Sequence, residues 1–327
     1  MIRIGREVSE MSQVQFLGER IGEVRVAFCT PRRPPSAGRL EGRVVVLDLA
    51  FASGKPVPPY PSVTHKLIEQ LGPRLACYLD HHDSVHHAEF SADPRFILAT
   101  KVEHGACPEM VTEERVARAG EVNTILCHND FDGLASAAKW LNGGREPYEG
   151  CDADSYAIDT RLGSPSPEGA RIDRALRGEP KSSELRLEVI RLMLSELRDE
   201  ALWAKVDEAG AQTLALEREA NALAEGYRAL SDRVVFVDAT YHEASFDRTH
   251  LLLRGQEKAQ VAVARFGDSV TFAAPFNSGV NFLSLFSLSG GMPTVVSIPL
   301  KRLRGALLML KVPTSTVSQL LDDLDLT

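Results

Sequence analysis

Three stretches of this 327-residue chain end an apolar run in carboxylates and imidazoles. Residues 126–138 read LCHNDFDGLASAA, so His128, Asp130 and Asp132 alternate, and an extended backbone would project them from one side. Residues 79–87 read LDHHDSVHH and put Asp80, His81 and His82 where the run LACYL stops. Asp48 closes a third run, RVVVLD. Asp48 alone is weak evidence, because an aspartate after a strand often only begins a turn. Asp132 alone fits an acidic helix N-terminus. Neither explanation covers an imidazole and two carboxylates crowded at the end of an apolar strand. His86 and His87 read instead as part of a solvated loop.

If Asp48, Asp130, Asp132 and one further carboxylate converge, each pair at about 4 Å repels by about 4 kcal/mol at an effective dielectric near ~20. Protons or cations must offset that repulsion. Histidine and carboxylate donors without thiolate suit Mn2+, with Mg2+ or Co2+ as alternatives. Two divalent cations about 3.5–4 Å apart would activate a water and neutralise a phosphate in line with it. The chemistry expected is therefore metal-dependent phosphoester hydrolysis.

The elements that must position these groups follow from the apolar patterning. Residues 43–48, 75–80, 123–128 and 233–238 are short, continuous apolar runs, as expected of strands buried on both faces of a parallel sheet. Helical patterns at 62–71, 106–118 and 133–142 lie between them, with Gly133 expected to turn the chain into a helix beginning near Leu134. Strand and helix in alternation predict a doubly wound α/β sheet, whose ligands bind at the carboxyl ends of the strands. VRVAFC at 24–29 is a candidate for one more strand. The Pro-rich stretches 31–39 and 54–62 read as surface loops.

From 164 onward the pattern turns helical, and 184–230 reads as almost continuous helix. Leu202, Val206, Ala209, Leu216, Ala220, Leu223, Tyr227 and Leu230 form one stripe, interrupted in composition by Gly210 and Gly226. The segments QVAVARF, SVTFAA and TVVSIPL after 231 suggest a smaller mixed α/β domain. The expected division is a catalytic domain over 1–200, a connecting helix over 201–230 and a C-terminal domain over 231–327.

Composition narrows the function. A net charge of −8 disfavours a surface that grips long duplex nucleic acid, while leaving room for a small phosphorylated or oligonucleotide substrate. Five cysteines without a CxxC pair read as reduced, packed thiols. No apolar run is long enough to span a membrane, and MIRIGREVSEM has no apolar signal core, so the expected location is cytoplasmic.

These motifs resemble those of the DHH phosphoesterase superfamily, which includes RecJ-type exonucleases, nano-RNases and family II inorganic pyrophosphatases. Asp80, His81 and His82 spell DHH itself, HNDFDG at 128–133 looks like the family's H-x-D-x-D-G motif, and VVVLD ending in Asp48 is similar to its second motif. The resemblance implies a DHH-type catalytic domain with a smaller C-terminal domain. It implies that His128, Asp130 and Asp48 hold one cation and that Asp132, Asp48 and His81 hold another, Asp48 bridging. His82 would contact substrate or stabilise developing charge, and Asp80 would orient the histidines. A fourth-motif aspartate is implied as well. Asp159 in YAIDTR is the preferred candidate, ahead of Asp154 and Asp152. The motif order departs from the family's, since Asp48 and DHH precede HNDFDG, and it looks permuted.

SLSGGMPTVVSIPL at 287–300 resembles the glycine-rich segment of the family's C-terminal domain, where Gly290 and Gly291 would present N–H groups to a phosphate. Met292 stands where the family usually has histidine. Arg265, Lys301, Arg302 and Arg304 are read as solvated charges, with a cleft-lining role as the other option. His104 is expected either to cap the following helix or to reach the pocket. The expected activity is hydrolysis of short oligonucleotides or small cyclic nucleotides. The rivals are pyrophosphate or polyphosphate cleavage, a nucleotide sensor without turnover, and a nuclease subunit active only in complex. A homodimer is among the assemblies the resemblance allows.

Overall fold

The computed structural model describes residues 20–52, 60–288 and 293–326. The chain divides into two compact units, Met1–Gly210 and Ala211–Thr327.

The first unit is built on six strands, β1 (Arg20–Ile21), β2 (Val24–Cys29), β3 (Val44–Leu47), β4 (Leu75–Asp80), β5 (Phe96–Leu98) and β6 (Thr124–His128). They lie in the order β1-β2-β6-β3-β4-β5, all parallel except for β1, which runs antiparallel to β2. Successive side chains of a strand point to opposite faces. Val45, Leu47, Cys77, Leu79, Ile125 and Cys127 accordingly enter one core, and Val44, Val46, Leu75, Tyr78 and Leu126 enter another. Burial on both faces is why these strands read as unbroken apolar runs. All five cysteines are buried and free, packed as small apolar residues.

Three helices differ from the sequence expectation. The helix expected over 106–118 is split into a 3-10 turn, Cys107–Met110, and an α-helix, Glu113–Ala119. Thr112 sits between them with extended backbone, and its hydroxyl accepts from Arg115 N–H at 3.3 Å, which starts a new helix. The continuous helix expected over 184–230 is likewise two helices, Ser183–Leu194 and Glu200–Ala224. Glu196 and Leu197 take left-handed backbone between them, and the Asp199 carboxylate accepts from the N–H groups of Ala201 and Leu202. That cap fixes the second start. The second helix ends at Ala224, so Tyr227 and Leu230 do not continue the helical stripe, and Arg228–Ser231 is a strand.

Finally, the helix after β6 begins at Phe131, not at Leu134, with Asp130 at its N-cap position. Gly133 is therefore inside the helix, not a turn residue. Its lack of a side chain is still required: a Cβ there would lie 2.6 Å from the His128 carbonyl oxygen. The glycine lets the first helical turn sit directly against the strand end.

The second unit holds β7 (Arg228–Ser231), β8 (Val234–Asp238), β9 (Val261–Phe266), β10 (Ser269–Ala273) and β11 (Val295–Pro299), in the order β11-β10-β9-β8-β7. Only β8 and β9 are parallel. One face packs on the helices Leu303–Met309 and Thr314–Asp323, the other on Arg248–Gln256. The chain is thus a mixed α/β protein with a mostly parallel first sheet and a mixed second one. No helix among the described residues is long and apolar enough to cross a membrane.

Candidate metal centre

The sheet order determines which side chains can meet. β3 lies between β6 and β4, and in register Leu47 faces Cys127 on one side and Leu79 on the other. The next residues, Asp48, His128 and Asp80, therefore leave three adjacent strands at one edge, about 4.8 Å apart. Asp48 takes left-handed backbone (φ 55°), while its N–H donates to the Leu79 carbonyl at 2.8 Å. A non-glycine residue adopts that conformation at a cost. It holds the carboxylate between its two neighbours.

Asp48 is fully buried. Its Oδ1 lies 3.3 Å from His81 Nε2 and 3.7 Å from His82 Nδ1, and its Oδ2 lies 3.6 Å from His128 Nδ1. His128 Nδ1 also lies 2.6 Å from Asp130 Oδ2. His81 Nε2 lies 3.4 Å from Asp132 Oδ2 and 3.9 Å from Asp159 Oδ2. Three overlapping groups thus have donor atoms within 4.8 Å of one another: Asp48, His81 and His82; Asp48, His128 and Asp130; and His81, Asp132 and Asp159.

The supporting contacts fix ring orientation. His81 Nδ1 lies 2.9 Å from the His104 carbonyl oxygen, which can only accept. The proton is therefore on Nδ1, and in the neutral ring Nε2 carries the lone pair. His82 Nδ1 is 2.9 Å from Asp80 Oδ1, so Asp80 orients His82 from a fully buried position. Asp132 Oδ2 accepts from the Cys107 N–H at 3.3 Å.

The electrostatics show strain between like charges. Burial, followed by the charges of Asp132 and Asp130, raises the Asp48 carboxyl to about 7. Burial works against charge on His81 and His128, but the aspartates facing their ring nitrogens outweigh it and raise both to about 11. His82 is raised by Asp80 and Asp48 against its own burial. Asp130 is lowered, since the His128 contact outweighs burial. Without another cation, protons hold these carboxylates together.

The donor set fits divalent cations. Both Asp48 carboxylate oxygens, His81 Nε2, His128 Nδ1 and Asp130 Oδ1 are buried and make no hydrogen bond. Orphaned buried polar atoms are costly, and these five belong to residues of one cluster. Oxygen and imidazole donors without thiolate suit Mn2+ or a similar ion.

Other sequence candidates fall elsewhere. Asp152 pairs with Lys139 Nζ at 2.5 Å. Asp154 accepts from Tyr148 Oη at 2.8 Å and from the Ser166 N–H and hydroxyl at 2.6 and 2.7 Å. Both are structural, and of the three only Asp159 reaches the cluster. It does so from the helix Cys151–Thr160. The His104 imidazole neither caps a helix nor joins the metal-ligand groups; it lies 3.2 Å from Glu109, while its backbone carbonyl meets His81. His86 stacks on Tyr60 with ring centroids 3.6 Å apart and its Nδ1 is 2.6 Å from Glu89, so this part-exposed loop histidine is also packed. Arg265 is nearly buried and pairs with Asp238 at 3.1 Å, so it is not a free surface charge. Gly290, Gly291 and Met292 lie outside the described residues.

Two cationic residues escaped the sequence reading. Lys101, in the turn after β5, lies 2.6 Å from Asp159 Oδ2. Arg186 is buried and its Nε–H donates to the Asn129 carbonyl at 3.1 Å, which fixes the loop leading to Asp130. Neither stands in a motif, so no spacing announces them.

No protein-family description matches the chain, and neither does any curated protein. Among solved structures, the chain is similar to a pGpG-specific phosphodiesterase from Vibrio cholerae. The two share 10% identity at a TM-score of 0.39, covering 83% of this chain and 99% of that one. It is also similar to the exonuclease RecJ bound to manganese, at 10% identity and a TM-score of 0.38, covering 84% of this chain and 75% of that one.

Proposed function

We propose that the chain is a divalent-cation-dependent phosphodiesterase of the DHH type, acting on short oligonucleotides or small cyclic nucleotides. The observation that carries this reading is Asp48: a fully buried carboxylate, neither oxygen hydrogen-bonded, standing between His81 and His128. His128, Asp130 and Asp48 would hold one cation, and His81, Asp132, Asp159 and Asp48 a second. Two such cations, Mn2+ being favoured, would supply an activated water and neutralise phosphate charge.

The chain's own groups do the rest. His104 presents its carbonyl to His81 and keeps Nε2 available to the centre. Asp80 holds the proton of His82 at Nδ1, which leaves Nε2 to meet the substrate phosphate or the charge developing on it. His82 is part-exposed whereas His81 is fully buried, so the first suits substrate and the second suits a ligand role. The acidic balance of the chain favours short substrates over long polymers.

A panel of dinucleotide, cyclic dinucleotide and pyrophosphate, each with Mn2+, tests the reading in wild type and Asp130→Ala. Cleavage of a dinucleotide or cyclic dinucleotide by wild type, lost by at least ~10²-fold in the variant with its fold intact, is the expected result. Cleavage of pyrophosphate alone would move the chain to phosphoanhydride chemistry. Tight nucleotide binding without turnover would make it a sensor.

A further inference from the structure

We infer that Lys101 is a built-in counter-ion: it shares Asp159 with the second cation position and is released toward the substrate phosphate when that position fills. The inference rests on the two-cation reading and goes beyond it. Lys101 Nζ lies 2.6 Å from Asp159 Oδ2, and that same oxygen faces His81 Nε2 at 3.9 Å within the group formed with Asp132. One carboxylate oxygen therefore serves two cations, one covalently part of the chain and one from solution. A cation at that position must compete with the ammonium for it.

Three features make the competition productive. Lys101 sits in the turn Lys101–Glu103, not in a strand or helix, and its side chain is about a quarter exposed, so it has room to swing. Its ammonium is a compact charge with three donors on a flexible stem, a group suited to non-bridging phosphate oxygens. Charge balance points the same way. Asp48, Asp80, Asp130, Asp132 and Asp159 are five carboxylates, and two dications leave one of those charges unmatched. Lys101 matches it, and a neutral centre accepts an anionic phosphate more readily than an anionic one.

Calorimetric titration of Mn2+ into chelator-stripped wild type, Lys101→Met and Lys101→Arg separates this role from a structural one. Removing a competing cation tightens the second Mn2+ site of Lys101→Met by about tenfold, while Lys101→Arg stays near wild type. At saturating Mn2+, Lys101→Met loses about 10- to 100-fold in kcat/KM on a phosphodiester substrate, because nothing replaces the ammonium at the phosphate. A residue that only props the turn would weaken Mn2+ binding when lost. Weaker or unchanged binding in Lys101→Met, with two ions bound by wild type, overturns this inference alone. Wild type that binds no Mn2+ overturns the two-cation reading with it.

Discussion

The Nδ1–H of His81 donates to the carbonyl oxygen of His104 at 2.9 Å, leaving only Nε2 to be filled by a proton or a cation. That exclusivity couples metal binding to pH. His81 and His128 are raised from 6.5 to about 11 in the folded chain, so the stability they add is complete below 6.5 and is lost as pH rises toward about 11. Asp48 is raised from 3.8 to about 7, so its protonated form favours folding and its contribution is lost as pH rises from 3.8 through about 7. Both effects make the cation-free protein less stable as pH rises. Bound Mn2+ replaces those protons and binds more tightly as they leave. Thermal scans from ~pH 6 to ~pH 9, with chelator and with Mn2+, should show the gap between the two Tm curves widening with pH. A constant gap would mean that the imidazoles and Asp48 do not exchange protons for metal.

Gly133 tests how the first helical turn serves the site. A Cβ there would meet the His128 carbonyl oxygen at 2.6 Å and its carbonyl carbon at 2.9 Å, both backbone atoms. Gly133→Ala should therefore cost about 1–3 kcal/mol by overpacking, and it should displace His128 as well. Denaturant unfolding reads the first effect and Mn2+ affinity the second. Normal Mn2+ affinity in the variant would detach His128 from the metal centre.

Asp154 and Asp159 stand five residues apart on one helix with opposite expected phenotypes. Asp154 is buried and accepts from Tyr148 and Ser166, so Asp154→Asn should lose about 1–3 kcal/mol of stability, with or without Mn2+. Asp159→Asn should leave the cation-free Tm nearly unchanged and shrink the upward shift that Mn2+ produces. The reverse pattern in paired thermal scans would exchange the two roles.

What could be read from the sequence were the groups on the strands. Asp48, Asp80, His81 and His128 each end a run whose every residue is buried, and a run that stops abruptly in a charge marks a strand end. Strand order could not be read. Nothing local says that β6 inserts between β2 and β3, although that insertion is what sets His128 beside Asp48. Asp159 matched a motif whose local structure the sequence did not reveal; it reaches the cluster from a helix, carried by packing between distant segments. The helix breaks at Thr112 and Asp199 were missed because apolar periodicity continues through both, and one capping side chain overrides it. Lys101, Arg186 and the His104 carbonyl act through tertiary position or main chain, and neither leaves a pattern in residue types.

Asp48 carries the whole account, since its carboxylate faces His81, His82 and His128 at once. The most direct measurement is the number of Mn2+ ions bound per chain by wild type and by Asp48→Asn, counted by calorimetry with elemental analysis. The substitution keeps the side chain's size and removes its charge. Wild type should bind two ions and Asp48→Asn should lose both high-affinity sites, weakened by at least ~10²-fold, while remaining folded. An Asp48→Asn protein that still binds two ions with wild-type affinity would contradict a shared centre at this carboxylate.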